Sequence, residues 1–320
     1  LETRAIVKLG LENIKNPGIK ALAKVRNKNP QEMNSSDVSF LIAPMLNSTA
    51  RLDKIELCLD LLLEDSIEKC VEIAKQMDEM RREKQEREMA LFETYKAKVN
   101  PNDRIIIVTD PQASKNFNGL IAQQLARVFR RPAIVLREHN GRLDGSYRSF
   151  GDFNMKSYLS KFKILNYVGG HEKAGGIGLR ADKLETLRRI INQDLANVTF
   201  SEGVEFDLVL SPEEITIDLI QQVQKFDYIT GQGFERAKFL IRGISIDDIQ
   251  YLGGGSTCKI TSGNLELLKF KIDENWGSDL ISFMFGDNVV IDALGSLNLN
   301  IWGRKKTMQV FLDEYRQMAG

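Results

Sequence analysis

Two glycine-punctuated clusters, Gly145-Ser146-Tyr147-Arg148-Ser149 and Gly169-Gly170-His171-Glu172-Lys173-Ala174-Gly175-Gly176, decide how this chain is read. The first sets two hydroxyls, Ser146 and Ser149, around the Arg148 guanidinium, on a backbone that Gly145 lets turn tightly. A planar fork of charged donors, flanked by hydroxyl and backbone donors, has the parts of an anion-binding concavity. The second cluster places His171 directly after two residues without Cβ, where a ligand can approach the backbone closely. Ile177-Gly178-Leu179 then reads as a strand. Taken singly, each cluster is also what an ordinary turn between strands looks like. Together they read as a phosphate-handling site.

The surrounding sequence predicts a small α/β domain over residues 100–197. Pro101-Asn102-Asp103 breaks a helix, and Arg104–Thr109 is a β-branched strand. Phe117–Phe129 reads as a helix and Arg131–Leu136 as the next strand. Asn154–Leu165 and Asp182–Asn197 read as further helices. Upstream, residues 1–65 form a helical segment that includes an amphipathic helix at 53–63. Residues 66–99 form one long connector helix, with dense charge over Asp78–Glu88 typical of a solvated face. Downstream, residues 198–320 begin with a capped helix after Ser211-Pro212-Glu213-Glu214. Short strands follow at Ala237–Ile241, Cys258–Thr261, Leu265–Ile272, Leu280–Phe283, Val289–Leu297 and Met308–Tyr315. Gly253-Gly254-Gly255, Asn264, Gly277 and Gly286-Asp287 separate them, and the set predicts a small antiparallel barrel or sandwich. The fold class is thus α/β plus β.

A chain of 320 residues predicts two or three domains. No run approaches a membrane span, no signal peptide opens the chain, and Leu1 starts in mid-pattern, so a piece of a longer cytoplasmic protein is expected. Cys58, Cys70 and Cys258 are an odd set without metal-type spacing, which fits reduced thiols. With only His139 and His171, a histidine-rich metal site is excluded. Net charge is zero, yet residues 127–149 carry six arginines against Glu138 and Asp144. That local excess of four positive charges ends at the proposed anion site and favours a phosphate-lined groove.

These residues resemble the RecJ-type single-stranded-DNA-specific 5′→3′ exonucleases of the DHH phosphoesterase superfamily, over the C-terminal two-thirds of that family's pattern. Residues 40–52, Phe40 to Leu52, look like the family's Pro-Arg-hydrophobic-Asn-Ala-Ala-Gly-Arg-Leu segment, with Met45 in place of the arginine and Ala50 in place of the glycine. Asn118-Gly119-Leu120 and Arg131-Pro132 are similar to its helix leading into an Arg-Pro strand. Gly145–Ser149 differs from its Gly-Ser-Gly-Arg-Ser segment only at Tyr147, and Gly169-Gly170-His171 matches its Gly-Gly-His signature. Gly231–Phe239, Ile291–Leu297 and Asn300–Arg304 resemble later turns and closing strands.

The resemblance implies a helical tail of the catalytic domain at 1–65, the connector at 66–99, a DHH-associated α/β domain at 100–197 and an OB-like nucleic-acid-binding barrel at 198–320. It implies metal-dependent phosphodiester hydrolysis with Mn²⁺ or Mg²⁺ in the complete enzyme, acting in DNA recombination and repair. The Asp-His-His that holds those ions is absent here. No bound metal and no catalytic residue is therefore expected in this chain, and Asp247-Asp248 reads as a helix or turn surface. Ser146, Arg148 and Ser149 would grip a phosphate, with Arg51 reaching the same anion from the other domain. His171, behind Gly169 and Gly170, would contact the nucleotide beside the scissile bond. Tyr147 would stack on a base or narrow the site. Trp302, Lys305 and Lys306 are candidates for tracking the strand, Trp302 being a core candidate as well. Single-stranded DNA is the implied partner, with a single-strand-binding protein as a further one and no membrane. Two other readings stay open: a nucleic-acid-binding or partner-docking module that never catalyses, and a phosphodiesterase for oligonucleotides or cyclic dinucleotides.

Overall fold

The computed structural model describes residues 2–318 apart from 202, 204, 232, 233, 273–275, 278, 279, 281, 282, 284–287 and 304. Two compact units divide the chain, Gly10–Gly203 and Leu1–Leu9 with Val204–Gly320. Among the described residues no helix is long and apolar enough to cross a membrane.

Helices come first: α1 (Glu2–Glu12), α2 (Pro17–Val25), α3 (Ser35–Asp37), α4 (Ala43–Arg51), α5 (Glu56–Leu63) and the 30-residue α6 (Ile67–Lys96). Asn16 caps α2 by accepting from the Ile19 N–H at 3.1 Å, and Pro17 occupies the first helical turn, where its missing N–H is not needed. A π-type turn at Val38–Ile42 leads into α4. On α6, Cys70, Ala74 and Met77 recur at helical spacing and are buried against Leu22, Met45 and Leu61. Farther along the same helix Tyr95 is buried in a different cluster, beneath the sheet.

The charged stretch of α6 is not all solvated. Asp78 is buried and accepts from Arg26 at 3.2 Å, Arg81 at 2.8 Å and Arg82 at 3.1 Å. Burial opposes its charge, but the Arg81 hydrogen bond and the three guanidinium charges hold its carboxyl below the ordinary value.

The sheet of this unit contains β1 (Ile106–Thr109), β2 (Ala133–His139), β3 (Arg142–Arg148), β4 (Leu165–Gly170) and β5 (Ala174–Arg180), in the order β1-β2-β3-β5-β4. Strands β1 and β2 are parallel and joined through α7 (Lys115–Phe129); the remaining pairs are antiparallel. Alternation sends Ile106, Val108, Ala133 and Val135 towards α7. Ile105, Ile107, Ile134 and Leu136 go to the opposite face, with α8 (Met155–Leu159) and α9 (Leu184–Asp194). Buried Asp103 fastens α9 by pairing with Arg188 and accepting from Asn192 at 3.3 Å. The helix expected over Asn154–Leu165 is only the five residues of α8, because Leu165 already pairs with Leu179 in the sheet.

The tight turn is also displaced from its expected place. Asn140 and Gly141, both with positive φ, connect β2 to β3, whereas Gly145 lies inside β3 and pairs with Leu136 and Ile177. A Cβ on Gly145 would run into the Val135 carbonyl, so close passage of the neighbouring strand requires glycine there.

The second unit holds β6 (Leu208–Leu210), α10 (Ile217–Gln224), β7 (Phe239–Ser245), β8 (Asp248–Leu252), β9 (Thr257–Ser262), β10 (Leu265–Phe270), β11 (Val290–Trp302) and β12 (Lys305–Gln317). Ser211 and Glu214 form a capping box on a 3₁₀ turn, and α10 starts afresh at the Thr216 cap. Strand order is β6-β7-β11-β12-β10-β9-β8, with β6–β7 and β10–β12 parallel. This OB-like sheet is mixed rather than purely antiparallel. Its barrel is not closed, since the end strands β6 and β8 do not pair with each other among the described residues.

Strand β8 was not expected from the sequence; Asp247 accepts from the Gly263 N–H at 2.5 Å and Asp248 begins the strand. Trp302 is 84% exposed at the β11–β12 tip rather than in the core. The expected strand at Leu280–Phe283, the separator Gly286-Asp287, residues Gln232 and Gly233 of the Gly231–Phe239 turn, and Arg304 lie wholly or in part outside the described residues.

An Asp78→Asn variant is expected to lose roughly 1.5–3 kcal/mol of stability at neutral pH, the range for hydrogen bonds to charged groups. Because the folded carboxyl titrates below its unfolded value of about 3.9, this contribution is complete above that value and disappears as pH falls through the folded one. Thermal melts across pH 2–7 should therefore converge for the two proteins in acid; a constant gap would remove the ionic account.

Candidate nucleic-acid interface

Because β3 is paired on both sides, its residues alternate strictly between the two faces. Tyr147 points into the core among Ile134, Leu143 and Ile177 and is completely buried. A base therefore cannot stack on it. Its hydroxyl instead donates to the His171 carbonyl at 2.9 Å, so it fixes the hairpin between β4 and β5. Tyr147 fits there because Gly175 lacks a side chain; a Cβ at that position would stand 2.5 Å from the phenol oxygen. Burial, followed by the neighbouring Tyr167, raises the Tyr147 phenol above its ordinary value, which keeps it a donor.

Ser146 and Arg148 occupy the other face, towards α7. Arg148 Nη1 donates to the Tyr147 carbonyl at 2.8 Å, while Nη2 lies against α7, 2.6 Å from where a Cβ on Gly119 would stand. Burial, followed by the charge of Arg51, lowers the Arg148 pKa from its ordinary value. An arginine stays protonated under either influence. Arg51 closes α4, and its Nη1 donates to the Asn116 carbonyl at 2.7 Å. Asn116 returns the contact, donating to the Arg51 carbonyl at 3.2 Å and to Asp53 at 3.1 Å. The structure thus brings Arg51 and Arg148 into one electrostatic neighbourhood. Both lie in the compact unit Gly10–Gly203. Neither makes an ion pair among the described residues. Two half-buried guanidiniums that repel one another, neither in an ion pair among the described residues, form a site that an anion would relieve.

Beside them a cavity of about 180 Å³ is lined by Arg51, Lys54, Arg87, Ser114 and Asn116, together with Asp53 and Glu83. Arg87 lies 5.2 Å from the Phe117 ring centroid. Lys54 and Arg87 were missed by the sequence reading, since Arg87 sits in the charged run of α6 and nothing local distinguishes it.

Ser149 is placed differently. Its hydroxyl donates to the Phe153 carbonyl and its N–H donates to the Lys173 carbonyl at 2.8 Å. The latter bond ties the first cluster to the second. Gly169 and Gly170 end β4; Gly170 has φ +109°, and a Cβ on it would meet Gly175 Cα at 2.5 Å. The His171 N–H donates to the Ala174 carbonyl at 2.8 Å, so both backbone groups of His171 are engaged within the fold. Its exposed imidazole lines a separate open cavity of about 650 Å³ with Asn154, Lys156, Ser157, Ser160 and Lys173.

The donor set does not fit a paired-metal centre. Among the described residues no group of three or more His, Cys, Asp or Glu side chains converges. All three cysteines are free, and burial pushes the Cys258 thiol up to about 11.

Residues 102–197 match the DHHA1 domain model and residues 206–314 the RecJ OB domain model. The chain is a RecJ-type C-terminal portion. The single-stranded-DNA-specific exonuclease RecJ of Bacillus subtilis is 27% identical across 98% of this chain, which covers 41% of that protein. RecJ of Haemophilus influenzae is 28% identical over 69% of the chain and 41% of its own length. The chain therefore spans about two-fifths of these RecJ relatives. Thermus thermophilus RecJ, solved in complex with Mn²⁺, superposes with a TM-score of 0.76 at 22% identity, over 99% of this chain and 47% of that one, a likeness of fold.

Replacing Tyr147 by Phe is expected to cost about 1 kcal/mol, the usual worth of one hydrogen bond. The His171–Ala174 hairpin should gain amide exchange; unchanged protection there would show that the hydroxyl does not hold it.

Proposed function

We propose that this chain is the substrate-gripping part of a single-stranded-DNA-specific 5′→3′ exonuclease acting in DNA recombination and repair, and that it does not hydrolyse DNA alone. The carrying observation is the Arg51–Arg148 neighbourhood, two guanidiniums without a carboxylate partner among the described residues, with the Ser146 hydroxyl on the same sheet face as Arg148. These three groups would hold a backbone phosphate, in this reading the terminal 5′-phosphate, through charge-assisted hydrogen bonds. Ser149 would support them through the backbone it ties to Lys173. His171, set by Gly169 and Gly170, would donate to the nucleotide beside the scissile bond.

The proposed division of labour runs from a helical tail of the catalytic domain at 1–65, through the connector at 66–99 and the DHH-associated domain at 100–197, to the OB-like domain at 198–320. Exposed Trp302, Lys305 and Lys306, at the tip of one hairpin, would track the strand. Mn²⁺ or Mg²⁺ belongs to the complete enzyme in this reading, and no step is assigned to either ion here. Single-stranded DNA is the proposed partner, with a single-strand-binding protein as a second, and the free thiols fit the cytoplasm. The donor set supports a purely binding role for this chain as the second reading. The RecJ OB match weighs against a phosphodiesterase for cyclic dinucleotides.

Fluorescence anisotropy with single strands bearing a 5′-phosphate or a 5′-hydroxyl, at two salt concentrations, tests the assignment. Arg148→Ala is expected to weaken binding of the phosphorylated strand about tenfold, roughly 1.4 kcal/mol, and of the hydroxyl strand much less. Equal losses would remove the terminal-phosphate role. The purified chain with Mn²⁺ should leave a labelled strand intact; cleavage abolished by His171→Ala would overturn the division of labour.

A further inference from the structure

Tyr167 has no part in either hydrophobic core beneath this sheet, and no feature of the sequence singles it out. It sits on β4 opposite Gly178, which in turn pairs with Asp144 of β3. Gly169 pairs with Gly176, and Gly176 with Ser146. Strand alternation therefore puts Tyr167, Gly169, Gly176 and Gly178 on the same face as Ser146 and Arg148. The ring lies down on those glycines. A Cβ on Gly169 would run into the Tyr167 hydroxyl, one on Gly176 would stand 3.1 Å from Cε1, and one on Gly178 would stand 3.6 Å from the Tyr167 Cβ.

Tyr95, Tyr147 and Tyr158 of this unit are buried, whereas Tyr167 is 58% exposed. With one ring face covered by glycine, the exposed area is the opposite face and the edge. Gly169 and Gly176 leave room that a Cβ would fill, and that room lets the phenol ring lie flat with its other face open. Neighbouring strands run about 4.8 Å apart, so the ring over Gly176 stands one strand from Ser146. Arg148 lies one diagonal step away, about 7–8 Å between backbones. These separations suit a single nucleotide with its phosphate at Ser146 and Arg148 and its base on the ring.

We propose that Tyr167 is a stacking platform for the base of the nucleotide whose phosphate Ser146 and Arg148 hold. The proposal rests on the phosphate-gripping reading above and adds what lies beyond the phosphate. A ring pinned on a glycine floor loses little conformational freedom on binding, and a π-face accepts any base, so the platform grips without reading sequence. The competing role is mechanical, a ring that merely shields the glycines.

The test uses the full chain and a 5′-phosphorylated single strand, either intact or with an abasic nucleotide at each of the first three positions in turn. Tyr167→Ala should weaken binding of the intact strand about tenfold, a stacking-sized effect. On the strand abasic at the stacked position it should change nothing. Tyr167→Phe should bind as the unaltered chain does. Tyr167→Leu, which still covers the glycines, should keep the melting temperature yet bind like the alanine variant, so loss of folding in the latter leaves the test intact. Equal losses on every strand, or wild-type affinity for Tyr167→Leu, would overturn the platform while leaving the phosphate site standing. If the unaltered chain binds the intact and abasic strands alike, the platform falls alone; if it binds none of them, the phosphate reading falls with it.

Discussion

Everything at the candidate interface depends on β3 being paired along both edges. A strand held by two neighbours cannot rotate a residue, so the two-residue alternation becomes absolute. One face receives Tyr147 and buries it; the other receives Ser146 and Arg148 and keeps them beside α7. The buried phenol then reaches through the fold to the His171 carbonyl, and the Ser149 N–H reaches Lys173. Two clusters some twenty residues apart in the chain are thereby locked together by one phenol–carbonyl and one backbone hydrogen bond. Side chains at the interface need only point outward.

The electrostatics follow from the same placement. Arg148 is drawn out of solvent by α7 and set near Arg51, which the Asn116 contacts hold in place. Elsewhere in the unit, buried charge is compensated locally: Asp78 has three arginines and Asp103 has Arg188. The contrast gives the Arg51–Arg148 pair its meaning. Arg51 and Arg148 stand against α7 near one another with no such ion pair among the described residues.

Much of this was legible in the sequence because apolar runs and caps are local signals. The long α6, the β-branched β1, the α7 helix and the β2 strand all follow from periodicity and breakers. The turn at Gly145 was misplaced because glycine reads as punctuation, while here it serves a close strand approach. The Asn140-Gly141 dipeptide five residues earlier carried the actual hairpin signal. Tyr147 could not be assigned to a face until its strand partners were known. Trp302 follows the same logic at the other end of the chain: an aromatic in a strand reads as core, but the strand outruns its sheet and ends in solvent. Arg87 and Tyr167 depend on tertiary neighbours alone, so no window of sequence contains their signal.

Strands β11 and β12 carry a consequence for how the OB-like unit comes into being. Each is 13 residues long, they pair with each other through 12 residue pairs, and they sit at the middle of the strand order, with β7 on one flank and β10 on the other. The β8–β9–β10 meander can form early from local contacts, and the parallel β6–β7 pair closes across α10, but neither flank has its inner neighbour until residues 290–317 are present. Completion of the sheet is therefore governed by distant partners and is intrinsically slow. On the ribosome, the two flanks would wait as separate half-sheets with open edges, and the late hairpin would join them in a single cooperative step.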